Sequence, residues 1–496
     1  MVSEKSSNDS ISVIEAYATM LNAKALGIKR SCIEESAAAQ IATKINFKNI
    51  VVACGTGGKG RIGYAVARNL LGSNHTCKVY IAAFMTKRVK AIEKPKWIDS
   101  AQFIDTERDF EKFVEVIKNA DCAVDALIGI GLKWEPNGIL GKGIDEINKC
   151  KNVISIDIPA GIYADTGKMC KKHIDATRVF AIYKKKKAMV YNKFPYAEII
   201  NAGIPKSAEL YTGPGDLLLA GKALSKDANK YSHGCVLVIG GSETYHGAPI
   251  AAANASNALL ASLRTGAGYA SMLLPRELGS IAKKLSTNSI VYTFDNYTDL
   301  LEKIKNIKHN SVIIGMGMQN ISEKILNEII EKEVKLKNAV IVDGGAIDAA
   351  KKIFNLNGSI ITPHDGEFYR LTGRKPSEDI EKRVRDAIDF SKRHKGILVL
   401  KGHQTIIAGN GKVKISNPSS SALATMGTGD VLAGIIGAYS AICKDGFKSA
   451  VAGVYTHASI GDILYKQKGN HILASDIINE IPNFLKKFDN LYINIQ

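Results

Sequence analysis

The chain has 496 residues, of which 46% are hydrophobic and 23% charged, a composition typical of a soluble globular protein. A single hydrophobic core rarely grows to this size, so we expect roughly two to four domains. The formal net charge of +18 would suit a nucleic-acid-binding protein. The basic residues are spread along the chain, however, and form no basic-aromatic blocks. We therefore expect no nucleic-acid partner.

The cysteines and the apolar segments indicate the cellular location. The eight cysteines are scattered, without a Cys-x-x-Cys pair or a His/Cys cluster of zinc spacing, so we expect reduced thiols. No apolar run approaches the length that spans a membrane, and the polar first ten residues lack the pattern of a signal peptide. We expect a cytoplasmic protein with no membrane partner.

The first half of the chain alternates strand-like and helix-like patterns. Residues 11–45 show helical periodicity, and 107–119 predicts a helix between strands. The predicted strands are Asn49–Ala53, Lys78–Ala83, Cys122–Ile128, Val153–Ile158 and Arg178–Tyr183. Such alternation indicates a parallel sheet covered by helices, in which ligands bind at the carboxyl ends of the strands.

Several polar features follow those strands. A glycine-rich segment, 54–64, opens a predicted helix at 65–71, and its Lys59 and Arg61 could neutralise a phosphate. Asp125 and Asp157 each lie in an apolar strand, where a carboxylate needs a partner, a ligand or a metal; a capped strand end is the alternative. The run Lys184 to Lys187 predicts a solvated strand edge, with a phosphate-rich ligand as the alternative.

A turn-rich passage at 209–219 and a polar stretch at 225–232 predict a domain boundary after residue 220. A second alternating pattern follows, again typical of an α/β layer structure. It comprises a small-residue helix, Gly247–Ser262, and the strands Cys235–Ile239, Val312–Ile314, Ala339–Val342, Ser359–Ile361 and Ile397–Leu400.

The segment 425–438 carries the strongest chemical signal of the second half. Gly427 and Gly429 permit a tight turn whose N–H groups would face an anion before a buried helix, and Asp430 could act as a base beside that anion. An ordinary glycine turn with Asp430 as a helix cap is the alternative.

Two further segments of the second half carry candidate site residues. Lys401 to Thr405 follows another strand and suits a nucleotide. His364 opens a helix and could equally be a capping or packing histidine.

The first half resembles the epimerase domain of enzymes that repair hydrated NAD(P)H. The resemblance rests on segment 54–68, on Asp-Ala-Leu-x-Gly-x-Gly-Leu at 125–132, and on Ser-Ile-Asp-Ile-Pro-x-Gly at 155–161. It implies a Rossmann-like three-layer sandwich that interconverts the R and S epimers of NAD(P)HX, the water adduct of NAD(P)H. The residues implied to contact this substrate are Gly58, Lys59, Gly60, Arg61, Ile62, Gly129 and Asp157.

The resemblance also implies a potassium ion on Asp125, but this chain departs from the family there. The family reads Gly-Asn-Asn-Gly-Gly-Asp-Gly where this chain has Gly57 to Gly63. The other two potassium ligands of the family fall on Lys59 and Ala160. We predict that the Lys59 ammonium lies beside Asp125 in place of the ion, because a fixed charge can replace a mobile one.

The second half resembles the ribokinase-like NAD(P)HX dehydratase domain over nearly its whole length. The motifs are Gly-Gly-Ser at 240–242, Tyr-x-Gly-Ala-Pro at 245–249, Leu-Arg-x-Gly-Ala-Gly at 263–268, Thr-Pro-His-x-Gly-Glu at 362–367, Lys-Gly at 401–402, and Gly-Thr-Gly-Asp at 427–430. Asp365 stands where the family has proline, and Gly345 where an aspartate is expected.

That resemblance implies two groups of site residues, together with ADP or ATP as phosphoryl donor and Mg²⁺. The residues implied to contact NAD(P)HX are Ala248, Gly317, His364 and Asp430. Those implied to hold the adenine nucleotide are Lys401, Gly402, His403, Gln404, Thr405 and Gly429.

The chain thus resembles a bifunctional NAD(P)HX repair enzyme, with an epimerase-like domain over 1–220 and a dehydratase domain over 221–496. The resemblance implies an ADP-dependent hydro-lyase whose first half carries isomerase activity, and a homo-oligomer is expected. The alternative is a ribokinase-type kinase of small alcohols whose first half is a ligand-binding or assembly module. The Thr-Pro-His-x-Gly-Glu motif argues against that kinase.

Overall fold

The computed structural model describes residues 10–72, 77–84, 101–104, 106–192, 194, 196–221, 229–241, 248–285, 288–319 and 321–493. The chain divides into two compact units, Met1–Pro205 and Lys206–Gln496. In the described parts of the chain, no helix combines the length and the apolar character that crossing a bilayer requires.

The first unit alternates strands and helices as its sequence pattern predicts. Its elements are β1 (Ser10–Ile11), α1 (Val13–Ala25), α2 (Arg30–Ala42), β2 (Asn49–Cys54), α3 (Gly58–Gly72), β3 (Lys78–Phe84), β4 (Ala101–Ile104), α4 (Glu107–Lys118), β5 (Cys122–Ala126), α5 (Gly138–Ile147), β6 (Val153–Ile156), β7 (Arg178–Ile182), β8 (Lys185–Lys186), α6 (Lys187–Tyr191) and β9 (Ala197–Ile200).

Within the described residues, seven strands of this unit form one parallel sheet in the order β4-β3-β2-β5-β6-β7-β9. The central strands are apolar on both faces because helices cover both sides of the sheet. The order runs outward from β2 towards β3 and β4 on one side and towards β5 and β6 on the other. The carboxyl ends of β2, β5 and β6 therefore lie side by side, which is where a doubly wound sheet binds its ligands.

The second unit contains the remaining elements. They are α7 (Ser207–Leu210), α8 (Pro214–Ala220), β10 (Cys235–Gly240), α9 (Ala248–Thr265), β11 (Tyr269–Pro275), α10 (Gly279–Leu285), β12 (Ile290–Phe294), α11 (Tyr297–Asn306), β13 (Ser311–Met316), α12 (Glu323–Lys335), β14 (Ala339–Val342), α13 (Ile347–Ala350), β15 (Ile360–Ile361), α14 (Asp365–Thr372), α15 (Ile380–His394), β16 (Ile397–Leu400), β17 (Ile406–Gly409), β18 (Lys412–Ile415), α16 (Thr428–Cys443), α17 (Gly446–Lys468), α18 (Ala474–Lys486) and α19 (Asp489–Ile493).

The described strands of this unit form one sheet in the order β12-β11-β10-β13-β14-β15-β16-β17-β18. The pairs from β12 to β16 are parallel, and β17 and β18 continue the sheet antiparallel. Leu237 and Ile239 of β10 belong to one buried cluster, whereas Val236 and Val238 belong to a second cluster. Successive side chains of a strand point to opposite faces, so β10 is a central strand with a core on each side.

Helix α16 packs very closely on α9, and this contact sets the position of the α16 N-terminus. A Cβ atom at Gly434 would lie 2.2 Å from the carbonyl oxygen of Ala258. The Ser262 hydroxyl donates to the Gly434 carbonyl at 2.9 Å. Glycine at 434 therefore permits the close approach of the two helices, and the small-residue segment of α9 serves as a core helix.

The helical pattern predicted over residues 11–45 is confirmed, and it forms two helices, α1 and α2, because Gly27 has φ +88° and ends the first one. One other local prediction is wrong. The passage predicted to be turn-rich contains α8, which begins at Pro214 with Asp216 bonded back to the Gly213 N–H at 2.8 Å. Pro at the first helical position is favourable, since its missing N–H would be unpaired there anyway.

Helix α8 belongs to the second unit. Leu217 and Ala220 lie in one buried cluster with Val431 and Ile435 of α16. Asp216 also forms an ion pair with Lys414 at 2.7 Å. The boundary predicted after residue 220 therefore lies inside the second compact unit.

Candidate active sites

Asp430 lies in the first turn of α16, at the end of a tight glycine turn. Gly427 is the residue before the helix and has φ +84°, a conformation that favours glycine. The Thr428 hydroxyl donates to the carbonyl oxygens of Leu423 and Thr425 at 2.7 and 2.8 Å, which fixes the turn. The helix therefore presents its first N–H groups and the Asp430 carboxyl at the same edge of the unit.

Burial raises the pKa of Asp430 to about 8. The neighbouring carboxylates of Asp343 and Glu367 raise it too, while Lys401 opposes them. A carboxyl group with a pKa near the working pH is suited to general base catalysis, since it can both take up and release a proton there.

Lys401 follows β16 and holds the carboxylates together. Its Nζ lies 3.0 Å from Asp343 Oδ1 and 3.8 Å from Glu367 Oε2. Burial lowers the pKa of Lys401, but the charges of Asp343, Glu367 and Asp430 outweigh this effect, so the net pKa is raised. A Cβ at Gly429 would lie 3.4 Å from this Nζ. Lys401 is therefore a permanent cation directly beside the α16 turn.

The groups around Asp430 include three residues that follow the carboxyl ends of adjacent parallel strands. Asp343 follows β14, Thr362 follows β15 and Lys401 follows β16, and these strands pair in that order. The Thr362 hydroxyl donates to Asp343 Oδ1 at 2.6 Å. A Cβ at Gly315, which has φ +126°, would lie 1.7 Å from the Asp343 carbonyl oxygen. Sequence reasoning assigned Asp343 no role, although its place directly after a predicted strand was a usable signal.

His364 caps helix α14, which is the alternative that its sequence position left open. Its Nδ1 accepts from the N–H groups of Gly366 and Glu367 at 3.0 and 3.4 Å, and Glu367 Oε2 accepts from the His364 N–H at 2.8 Å. Nε2 is therefore the protonated ring nitrogen. The His364 side chain is 57% exposed, so its capping role leaves this edge of the ring accessible to a ligand.

The remaining residues predicted to hold the nucleotide lie in the loop after β16. Gly402 and His403 are exposed, Gln404 is half-buried and Thr405 is buried. The Thr405 N–H donates to Ser416 Oγ at 2.9 Å, and the His403 carbonyl accepts from the Ser419 N–H at 2.8 Å. These bonds order the loop whose exposed part borders Lys401.

The residues predicted to contact NAD(P)HX are only partly described. Gly317 follows β13 with φ +65° and so also lies at the strand-end edge. Ala248 is the first residue of α9, but its side chain lies outside the described residues, as do Tyr245, Gly247 and Ser242 of the same motifs.

His457 of α17 is a buried residue that the sequence did not single out. Burial lowers its pKa to about 4, and its ring lies against the backbone of Thr428. Its Nε2 is among the buried side-chain atoms that have no hydrogen-bond partner within the described residues. His457 is therefore neutral near pH 7 and adds no charge behind the α16 turn.

Arg383 of α15 joins the two loops that flank the site. Its Nη2 donates to Asp365 Oδ1 at 2.5 Å and to the Lys401 carbonyl at 2.8 Å, and its side chain is 9% exposed. Asp365, which stands where the resembling family has proline, is thus the partner of a buried arginine.

We expect Arg383→Leu to lower the free energy of unfolding by about 1.5–3 kcal/mol, the usual cost of losing a hydrogen bond made by a charged group. Asp365 is largely exposed, so most of this effect comes from the Lys401 carbonyl. Urea titration of the full chain measures the change. Arg385→Leu is the matched control, because Arg385 lies on the same helix in an exposed pair with Glu381 at 3.8 Å. Equal effects of the two substitutions would contradict this account.

In the first unit, Lys59 and Asp125 form a buried ion pair. Lys59 Nζ lies 2.6 Å from Asp125 Oδ2, and the two side chains are 4% and 0% exposed. The same carboxylate oxygen accepts from Ser155 Oγ at 2.7 Å and from the Ala160 N–H at 2.9 Å. Asp125 of β5 is paired with Ser155 of β6 in the sheet register, which no local sequence pattern predicts.

Asp157 follows β6 and pairs with Lys186. The two charged atoms lie 2.6 Å apart, and the Lys186 side chain is 4% exposed. The prediction of a solvated lysine run is therefore wrong for Lys186, which turns inward to this carboxylate. Asp157 has φ +64°, a left-handed conformation that is uncommon for residues other than glycine but that aspartate adopts more readily than most.

The glycine-rich segment forms the first turn of α3 and not a loop before it, since α3 begins at Gly58. A Cβ at Gly60 would lie 1.9 Å from the Gly55 carbonyl oxygen, so the turn requires glycine there.

The other predicted site residues of this unit lie around the same turn. Arg61 pairs with Glu34 at 2.8 Å. Ile62 is buried, and a Cβ at Gly129 would lie 3.3 Å from Lys59 Cβ. Lys59 lies beside Asp125, as predicted, so its ammonium is already paired and is not available to neutralise a phosphate.

Two protein-family models match the chain, one in each unit. The model described as NAD(P)H-hydrate dehydratase matches residues 236–483, and the model described as YjeF-related protein N-terminus matches residues 20–188. The first of these covers half of the chain and includes the residues around Asp430.

Curated proteins resemble the chain over nearly its full length. The bifunctional NAD(P)H-hydrate repair enzyme Nnr of Methanocaldococcus jannaschii is 30% identical over 510 residues, covering 94% of this chain and 92% of that protein. The protein of the same name from Pyrobaculum aerophilum is 27% identical and covers 97% of this chain and 99% of that protein.

Among solved structures, the ADP/ATP-dependent NAD(P)H-hydrate dehydratase from Bacillus subtilis, co-crystallised with ATP and Mg²⁺, is 24% identical with a TM-score of 0.46 and covers 55% of this chain and 97% of that chain. The paired family models and the full-length relatives agree with the two-unit architecture. The chain therefore belongs to the family of bifunctional NAD(P)H-hydrate repair enzymes.

Proposed function

We propose that the second unit dehydrates (6S)-NAD(P)HX to NAD(P)H at the expense of ADP or ATP. The observation that carries this proposal is the position of Asp430, a carboxyl with a pKa raised to about 8, at the N-terminus of α16 and beside the Lys401 cation. A base next to an anion-binding helix terminus is the arrangement that phosphoryl transfer to an alcohol requires.

The reaction begins at the hydroxyl group of the hydrated nicotinamide ring, because hydroxide itself leaves poorly. Asp430 takes the hydroxyl proton while the oxygen attacks the terminal phosphorus of the nucleotide, and the bond from that phosphorus to the departing nucleotide breaks. The phosphorylated ring then loses phosphate and a proton from the adjacent carbon, which restores the dihydronicotinamide double bond.

Lys401 and the start of α16 stabilise the charge that moves during transfer. The Lys401 ammonium and the first N–H groups of α16 face the same edge and would contact oxygens of the transferred phosphoryl. Both are held in place before the substrate arrives, Lys401 by Asp343 at 3.0 Å and the turn by the Thr428 hydroxyl. Fixed dipoles and charges need no reorganisation during the reaction, which is why they lower its barrier.

The donor set at this edge fits Mg²⁺, since Asp343 and Glu367 bring carboxylate oxygens, the ligand class that this ion takes. Glu367 would bind the ion together with the nucleotide phosphates. When bound, Mg²⁺ would neutralise charge on those phosphates.

For the first unit we propose interconversion of the R and S epimers of NAD(P)HX. The proposal is supported by family membership and by the pair of half-buried Asp157 and buried Lys186 at a strand end, where a carboxylate and an ammonium 2.6 Å apart can exchange a proton with a ligand. The cytoplasmic location and the homo-oligomeric state stay predictions.

Recovery of NADH from a mixture of R and S hydrated NADH tests both proposals. We expect the near-ultraviolet absorbance of NADH to return when ADP or ATP and Mg²⁺ are present. For the whole mixture it should return faster than the epimers interconvert spontaneously. Recovery that stalls after one epimer would contradict the proposal for the first unit. Release of a stable phosphorylated product without NADH would instead favour a kinase.

A further inference from the structure

The Lys59 ammonium lies at the centre of a set of oxygen atoms at the carboxyl ends of β5 and β6. Nζ is 2.6 Å from Asp125 Oδ2 and 2.7 Å from the Ile158 carbonyl oxygen. The Ile128 carbonyl oxygen and Ser155 Oγ complete the set, each at 3.3 Å. One carboxylate, two backbone carbonyls and one hydroxyl form the kind of oxygen shell that a monovalent cation takes.

This arrangement does not fit the potassium ion that resemblance to the epimerase domain implies. Position 59 supplies an ammonium where that pattern has an asparagine, and Ala160 has no side-chain oxygen where that pattern has a serine. The Ala160 N–H donates to Asp125 at 2.9 Å, which occupies one more site on this carboxylate. The oxygen atoms on which an ion would depend are already bonded to Lys59.

The charges lead to the same result. Asp125 carries the single negative charge of this shell, and Lys59 already neutralises it at 2.6 Å. A potassium ion in the same shell would place a second positive charge next to a buried ammonium, and repulsion between buried charges is poorly screened. The buried ion pair is also fully hydrogen-bonded, because Ser155 Oγ and the Leu127 N–H donate to Asp125 at 2.7 and 3.0 Å.

We propose that Lys59 is a built-in cation that takes the place of the alkali ion, so that the first unit neither binds nor requires potassium. A tethered ammonium cannot diffuse away, so the strand-end loops around Asp125 keep their arrangement whatever the ionic composition of the solution. Epimerisation by this unit, which is itself a proposal, would then proceed equally in potassium and in a large organic cation.

The test compares the wild-type full chain with Lys59→Asn/Ala160→Ser, which restores uncharged oxygen ligands at both positions. Thermal unfolding is recorded in potassium chloride and in choline chloride of equal concentration. We expect the same midpoint in both salts for the wild type. For the double variant we expect a rise of about 5–10 °C in potassium, the shift that a ligand at about 100 times its Kd produces.

Anomalous scattering from crystals soaked in rubidium or thallium chloride gives a second readout that is independent of activity. We expect a peak at Asp125 in the double variant only. A potassium-dependent midpoint or a heavy-ion peak at Asp125 in the wild type would overturn the proposal, and so would a double variant that is stable in choline chloride and indifferent to potassium.

Lys59→Met removes the charge of this side chain and keeps most of its length. Lys112→Met is the matched control, because Lys112 is exposed. We expect Lys59→Met to lower the midpoint in both salts, because it leaves Asp125 as an unpaired buried charge. A Lys59→Met protein as stable as the control would show that the cation is not needed. If no epimerisation is detected in any protein, the thermal and scattering results still decide the role of Lys59.

Discussion

We expect Asp430→Asn to reduce kcat for NADH recovery by about 10²–10⁴-fold, the usual contribution of a general base, and to leave adenine nucleotide binding nearly unchanged. The asparagine keeps the shape of the side chain at the start of α16 but cannot accept the hydroxyl proton. Single-turnover recovery of NADH from hydrated NADH measures the rate, and calorimetric titration with ADP or ATP measures binding. A variant with unimpaired turnover would refute the role of Asp430.

The pH dependence of the wild type gives an independent check on this residue. With its pKa raised to about 8, Asp430 is mostly protonated at pH 7 in the free protein and becomes an effective base as the pH rises through 8. We therefore expect kcat/KM to rise between pH 7 and 9 and then to level off. For Asp430→Asn we expect no such rise in kcat/KM between pH 7 and 9.

The raised pKa of Asp430 also determines which is more stable to unfolding, the wild type or Asp430→Asn. A carboxyl whose pKa is higher in the folded than in the unfolded chain destabilises the fold as the pH rises from the unfolded value towards 8. We expect Asp430→Asn to be more stable than the wild type above pH 8 and similar to it near pH 4. This difference also shows that lost turnover does not come from unfolding.

The second large effect is expected for Lys401→Gln, which should lower kcat/KM by about 10²–10³-fold, the cost of removing one electrostatic contact to the transferred group. Lys401 also lowers the pKa of Asp430 and pairs with Asp343 at 3.0 Å. Without it, three carboxyl groups face one another, so we expect the rise of the pH profile to move above pH 8.

Initial rates as a function of nucleotide concentration and pH measure both effects of Lys401→Gln. Lys412→Gln is the control, because Lys412 is an exposed lysine on β18 of the same unit. A pH profile that stays in place or moves to lower pH would show that Lys401 does not act on Asp430.

The central strands could be predicted from the sequence because parallel strands covered on both sides are continuous apolar runs. β2, β5, β14 and β16 therefore lie within a few residues of their predicted bounds. The edge strands β4, β9, β12 and β18 were missed, and so were the interior strands β11 and β17. β9 and β18 have half-exposed or exposed residues and short runs, so their patterns differ little from those of loops.

Local motifs also placed Lys401 and Asp430, because a helix terminus and a strand end carry their own sequence signals. Their partners could not be predicted in the same way. The contact of Lys401 with Asp343 spans 58 positions, and that of Arg383 with Asp365 depends on the packing of α15. Which charge neutralises which depends on strand order, and no local pattern reports strand order.

The sequence by itself determined that this chain has two α/β halves, that polar residues follow their strands, and that a lysine lies at position 59 of the glycine-rich segment. Only the tertiary structure decided what these residues do. Lys186 turns inward to Asp157, although its lysine run was predicted to be a solvated edge. Lys59, which was predicted beside Asp125, also contacts Ser155 and the carbonyl oxygens of Ile128 and Ile158. A charged side chain is buried only where partners converge from several elements, and that convergence is a property of the folded sheet.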